Sequence, residues 1–131
     1  MEEFDKIVKF TFKKSERLSS KKDIQELFKN GSSFYLHPFK VITLPSPNSL
    51  VHQVLFTVPK RNFKRAVDRN LLKRRMREAY RLHKHLLSTE PQVLSIAYIY
   101  TSKEIVDYAS IAKPLEQSLS RIKKNVEKNS K

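Results

Sequence analysis

Apolar residues recur along this chain with two different periods, and the switch between them marks out its elements. Ile24, Leu27 and Phe28 fall at i, i+3 and i+4, the spacing that lines one face of a helix. Ser20, followed three residues later by Asp23, supplies a capping-box start, so the pattern predicts a short helix from Lys21 to Asn30. Gly31, the only glycine, stands where a left-handed C-cap would fall. An Asn30-Gly31 hairpin turn is the competing reading. From Ser33 the pattern becomes extended, over Phe34 to Leu36, Phe39 to Leu44 and, beyond the loop Pro45-Ser46-Pro47-Asn48-Ser49, His52 to Val58. The stretches either side of that loop are expected to pair antiparallel.

Helical period returns from about Ala66 to Leu87 and is broken by Glu90 and Pro91. On a wheel of about 100° per residue, Leu71, Leu72, Met76, Ala79, Leu82, His83 and Leu86 gather on one side. Arg69, Asn70, Lys73, Arg74, Arg77, Arg81 and Lys84 gather on the other, with Arg75 intruding on the apolar face. A merely solvated charge run has no reason to segregate in this way, so the helix is expected to sit on a core and present cations outward. Val93 to Tyr100 reads as a strand and Asp107 to Val126 as a helix, in which Pro114 either makes a kink or starts a separate helix. The order is αββαβα around one sheet, an α+β sandwich. Residues 1–131 form a single domain, with 1–16 as a loose arm offering Phe4, Phe10 and Phe12 for docking and 127–131 as a polar tail.

Charge sharpens this picture. From Lys60 to Lys84, eleven lysines and arginines face only Asp68 and Glu78, so 25 residues hold +9 of a formal +14. Such a balance points to a polyanion: nucleic acid, an anionic membrane or an acidic protein. A membrane is disfavoured, because the helix's apolar face lacks the Trp and Phe of interfacial helices and is needed for packing. No run approaches about 18 apolar residues, and the start Met1-Glu2-Glu3 is unlike a secretory signal, which implies a cytoplasmic protein. Without cysteine there are no disulfides and no thiolate zinc sites. His83 and His85 lie on different helix faces, His37 and His52 lack acidic company, and no glycine-rich phosphate loop exists. No catalytic constellation is legible. Arg69, Lys73 and Arg77 instead place a cation once per turn, about 6 Å apart, a spacing that suits phosphates, and Asn70 adds a donor and acceptor beside them.

The run from Ala66 to Tyr80, Ala-Val-Asp-Arg-Asn-Leu-Leu-Lys-Arg-Arg-Met-Arg-Glu-Ala-Tyr, resembles the signature of the bacterial ribonuclease P protein component. Arg17-Leu18, Lys22-Asp23 through Leu27-Phe28, Gly31, Phe34 and Phe56 to Lys60 extend the likeness, which covers about residues 17 to 126. The resemblance implies a small basic subunit that binds a catalytic RNA and helps remove the 5′ leader from precursor tRNA, with Mg²⁺-dependent hydrolysis carried by the RNA. The isolated protein would be monomeric and would pair one-to-one with the RNA. By the same resemblance Arg69, Asn70, Lys73, Arg74 and Arg77 are RNA-contacting positions and Lys60 and Arg61 match the basic end of the preceding strand; Arg81, on the cationic side of the wheel, and Arg75 join them as candidate RNA-binding residues. Phe28 lines a cleft for the single-stranded leader, with an ordinary core residue as the alternative. The resemblance also implies a left-handed crossover around the basic helix, inside a mixed sheet. A ribosomal-type RNA-binding protein with no processing role is the rival reading.

Three departures from the family pattern stand out. Leu71 replaces the last arginine of the Arg-Asn-Arg triplet while Arg75 occupies an apolar position about 40° away, as if the two had exchanged and Arg75 reached toward the vacated site. Asn62-Phe63-Lys64 lacks the family's common glycine. Ile24 and Ile42 stand where cleft aromatics are expected.

Overall fold

The computed structural model describes residues 12–88 and 92–129. The helix α1 (Lys21–Asn30) leads into strands β1 (Ser32–Leu36), β2 (Phe39–Pro45) and β3 (Gln53–Thr57). Helix α2 (Ala66–His83), strand β4 (Leu94–Tyr100) and helix α3 (Tyr108–Asn129) follow. Short 3₁₀ turns cover Lys14–Glu16 and Lys84–Leu86. The extended stretch before residue 45 is thus two strands, paired antiparallel with Leu36 opposite Phe39, and the order becomes αβββαβα.

The strands form one mixed sheet in the order β1-β2-β4-β3. The expected antiparallel pair of β2 and β3 does not exist. β4 lies between them, antiparallel to β2 and parallel to β3. Its composition explains the place it takes: Leu94-Ser-Ile-Ala-Tyr-Ile-Tyr100 has no polar face and only Ile99 is less than fully buried, so it suits a strand covered on both sides. β3 alternates buried and half-buried residues and forms an edge. A parallel neighbour requires a crossover, which α2 supplies.

Alternation along the strands sends side chains into two cores. Phe39 and Val41 of β2, Val54 and Phe56 of β3, and Ile96, Tyr98 and Tyr100 of β4 join Leu72, Met76, Ala79 and Tyr80 of α2 and Ile111, Leu115, Leu119 and Ile122 of α3. On the opposite face Ile42 and Ala97 pack with Leu18 and with Leu27 of α1 in a smaller core. The sheet is therefore sandwiched between α2 with α3 and α1 alone. Within the larger core Tyr98 Oη hydrogen-bonds Ser118 Oγ at 2.7 Å, and Ser118 donates on to Leu115 O at 2.6 Å. Burial raises the Tyr98 pKa. Phe12 of the N-terminal arm docks edge-on against Phe56 and Tyr80, each at 5.8 Å. The expectations for Phe4, Phe10, Glu90 and Pro91 lie outside the described residues.

Gly31 is the C-cap of α1, donating its amide to Leu27 O at 2.9 Å, but it takes neither the left-handed conformation nor the hairpin turn. Its φ of −71° and ψ of 154° are ordinary extended backbone. What the position requires is absence of a side chain: a Cβ there would lie 2.4 Å from Leu27 O, 2.6 Å from Ile42 Cγ2 and 3.1 Å from Thr43 O. Ser20 does cap α1, accepting the Asp23 amide at 3.3 Å. Pro114 neither ends α3 nor starts a new helix, since the helix runs through it. Asp107 begins that helix by accepting the Ser110 amide at 2.9 Å, and hydrogen bonding from the Ser110 hydroxyl and then its amide lowers the Asp107 carboxyl pKa.

Candidate nucleic-acid interface

α2 is seated through Leu72, Met76, Ala79 and Tyr80, all buried. Its exposed positions are Ala66, Val67, Asn70, Arg74 and Arg77, with Lys73 half-buried at their flank. The outward line is therefore rotated from Arg69-Lys73-Arg77 toward Asn70-Arg74-Arg77. Val67, Asn70, Leu71, Lys73, Arg74 and Arg77 surround a depression of about 480 Å³. Lys60, Arg61, Lys64, Lys73, Arg74 and Arg77 have no acidic partner among the described residues. Cations that are not already neutralised remain available to an external anion.

Four other cations have internal work. Both protons of Arg69 Nη1 are taken by backbone carbonyls, Phe63 O at 2.7 Å and Lys64 O at 2.8 Å. Arg69 thus pins residues 63 and 64 to the start of α2. Arg75 donates to Val106 O at 2.6 Å, in the connection from β4 to α3. This corrects the exchange idea: Arg75 ties two elements together and leaves Leu71, half-buried, at the depression. Arg81 forks onto Glu78 one turn earlier, an interaction that lowers the Glu78 pKa and raises its own. Lys84, assigned to the outward face by the wheel, is bonded to Glu16 at 2.6 Å with both side chains mostly buried. The pair clamps the N-terminal 3₁₀ turn to the end of α2.

Sequence reasoning missed the residue that organises the basic connection. Phe63 is 7% exposed and meets Tyr100 edge-on at 5.8 Å. Tyr100 Oη in turn donates to Glu104 O at 2.5 Å and accepts the Val106 amide at 3.3 Å. The loop Asn62-Phe63-Lys64 is held by this ring. A lone aromatic among six cations, Lys60 to Lys73, was the available signal.

On the other face of the sheet, Phe28 projects from α1 with 46% of its surface exposed, so it is not the core residue of the alternative reading. Beside it the surface is aliphatic, with Ile24, Leu44, Leu55 and Ile99 half-buried around Ile42 and Ala97. His52 is structural: Nε2 donates to Ser88 O at 2.8 Å and Nδ1 accepts the Leu94 amide at 3.0 Å. Burial lowers its pKa. Among the described residues no group of three His, Asp or Glu side chains is placed to hold a metal, and no helix is long and apolar enough to cross a membrane.

These features define a compact basic α+β domain that displays fixed cations on a rigid helix and an exposed aromatic on the opposite sheet face. Comparison with known proteins makes the class specific. The family profile described as Ribonuclease P matches residues 12–123, so the chain belongs to the ribonuclease P protein family. It is 39% identical over 123 residues to the ribonuclease P protein component of Porphyromonas gingivalis strain W83, covering 89% of this chain and 90% of that one. Against the component of Chromohalobacter salexigens the figures are 36% over 120 residues and 91% of each chain. The solved RNase P protein of Thermotoga maritima superposes with a TM-score of 0.68 at 28% identity, over 81% of this chain and 96% of the other. That of Staphylococcus aureus, at 24% identity, shares the fold with a TM-score of 0.70 over 85% and 97%.

Proposed function

We propose that this chain is the protein subunit of a ribonuclease P ribonucleoprotein, binding the catalytic RNA through α2 and the 5′ leader of precursor tRNA through the α1 face. One observation carries the reading. Asn70, Lys73, Arg74 and Arg77 stand together, without acidic partners among the described residues, on a helix whose back is fixed in the core. A rigid array of this kind binds phosphates without the entropy cost of ordering flexible lysines. Lys60, Arg61 and Lys64 extend it, Arg69 serves both loop and ligand, and Arg75 and Arg81 support it. Fixed cations reduce repulsion between two RNAs, which lowers the Mg²⁺ concentration their association requires. The acids nearest the array, Asp68 and Glu78, are occupied by Arg65 at 4.0 Å and by Arg81. These residues do not make a metal site, and Mg²⁺ and the hydrolytic step would stay with the RNA.

Phe28 offers a flat apolar face to a base, a contact indifferent to sequence, as a leader that varies between tRNAs demands. The protein would act as a monomer paired with one RNA, in the cytoplasm. The test is cleavage of precursor tRNA by the cognate catalytic RNA at low Mg²⁺, with and without the protein. Stimulation that is lost in Arg74→Ala and Arg77→Ala supports the subunit role. No stimulation, with tight binding to unrelated structured RNA, replaces it with the ribosomal-type reading.

A further inference from the structure

The sheet face that carries α1 is only partly covered by it. Phe34 and Leu36 of β1 pack toward α2 and α3, where Arg121 lies 4.3 Å above the Phe34 ring. Alternation therefore turns Tyr35 to the α1 side. Lys40 stands between Phe39 and Val41, both in the larger core, and turns the same way. Tyr35 pairs with Lys40, and Lys40 with Ile99, in one row across β1, β2 and β4. α1 packs on the neighbouring row of Ser33, Ile42, Ala97 and Leu55, about 7 Å along the strands. Tyr35 is left 55% exposed and Lys40 exposed.

We propose that Tyr35 and Lys40 form a further binding site for single-stranded RNA, the base stacking on the Tyr35 ring and its phosphate meeting the Lys40 ammonium. The inference rests on the leader reading of the α1 face and extends it beyond Phe28. Directly opposed residues of an antiparallel pair hold their Cβ atoms about 5 Å apart, so ring and charge act on one nucleotide. The Tyr35 hydroxyl lies 3.3 Å from His37 Nδ1, which restrains the ring. Lys40 has no acidic partner among the described residues. Ile24 and Ile42 occupy the positions where the family resemblance places aromatics, and Tyr35 lies one row from Ile42. Tyr35 thus supplies this face with a ring from the edge strand. The row contains no carboxylate, and a chain of formal charge +14 selects a polyanion over a protein segment.

The experiment measures binding of precursor tRNA and mature tRNA to the holoenzyme assembled with the cognate catalytic RNA. Tyr35→Ala is expected to weaken precursor binding about tenfold, within the range for losing one stacked base, and to leave mature tRNA unchanged. Tyr35→Phe keeps wild-type affinity because the ring remains. Lys40→Gln weakens precursor binding and makes its salt dependence shallower by about 0.7 in log-log slope. Tyr35→Thr, which favours a strand, repeats the ring deletion should the alanine variant fold poorly. Unchanged precursor affinity in the folded ring-deletion variant overturns the inference, as does an equal loss for mature tRNA. A wild-type protein that discriminates precursor from mature tRNA normally while Tyr35→Ala does the same sinks this site alone. A wild-type protein that gives no discrimination sinks the leader reading beneath it.

Discussion

Replacing Gly31 by alanine separates two accounts of the only glycine. Its backbone is extended, so alanine adopts the same φ and ψ without strain. Were conformation the whole matter, the substitution would stabilise the fold by about 0.4–1 kcal/mol through loss of unfolded-state freedom. The surroundings reverse the sign. The new methyl meets Leu27 O at 2.4 Å and Thr43 O at 3.1 Å, both backbone atoms that cannot rotate aside, and Ile42 Cγ2 at 2.6 Å. Overpacking of a fixed site costs about 1–3 kcal/mol, and two backbone neighbours argue for the upper end. The net expectation is a loss of about 2 kcal/mol, which lowers the melting temperature by about 8 °C for a domain of this size. Relief requires α1 to move off the sheet, so exposure of Phe28 changes as well. Urea denaturation followed by circular dichroism gives the free energy, and a thermal melt the second measure. A variant as stable as wild type, or more so, refutes the close-approach argument.

Protonation of His52 would replace its acceptor Nδ1 with a donor facing the Leu94 amide, and burial holds its pKa below the ordinary value. The unfolded chain therefore takes up the proton first as pH falls below about 6.5. Stability contributed by His52 is present above that pH and declines below it until the folded pKa is passed; urea midpoints should fall with acidity less steeply in His52→Gln, and parallel profiles would contradict this. Arg77→Ala should weaken RNA binding with no change in melting, whereas Arg69→Ala should also cost about 1–2 kcal/mol by stranding two carbonyls, measured by melting alongside RNA titration. If Lys60, Arg61, Lys64, Lys73, Arg74 and Arg77 each neutralise one phosphate, affinity for single-stranded RNA should fall with salt at a log-log slope of about −4, and a slope near −1 would remove most of them from the interface. Tyr98→Phe should lose about 1 kcal/mol of stability in urea, because its partner Ser118 is buried.

Local periodicity was enough to place α1, the seat of α2, β4 and most of α3, since each is a repeat readable over ten residues or so. Pairing between distant strands was not, because the loop after Pro45 looks the same whether its flanking strands touch or admit a third between them. The clue was the lack of any polar face on β4, which marks a central strand. The candidate interface was legible as a face but not as a set of individual roles. A wheel gives direction and cannot show that a guanidinium has found a carbonyl 31 residues away, as Arg75 has. Nor can it show that the Arg69 guanidinium braces its own loop or that Lys84 has closed on Glu16. Tyr35 was hidden for the opposite reason: a five-residue edge strand carries too short a pattern to tell which face a ring takes.

The insertion of β4 between β2 and β3 also sets a timetable for the nascent chain. A ribosome delivers β1, β2, β3 and every cation of α2 before it makes the strand that β2 and β3 share. Until Tyr100 has left the exit tunnel the sheet is in two unjoined pieces, and α2 lacks the Tyr98 and Tyr100 side of its seat. Sequence-distant pairing of this kind forms late and slowly. A product truncated before residue 94 therefore carries the whole charge of the basic helix and none of the architecture that aims it.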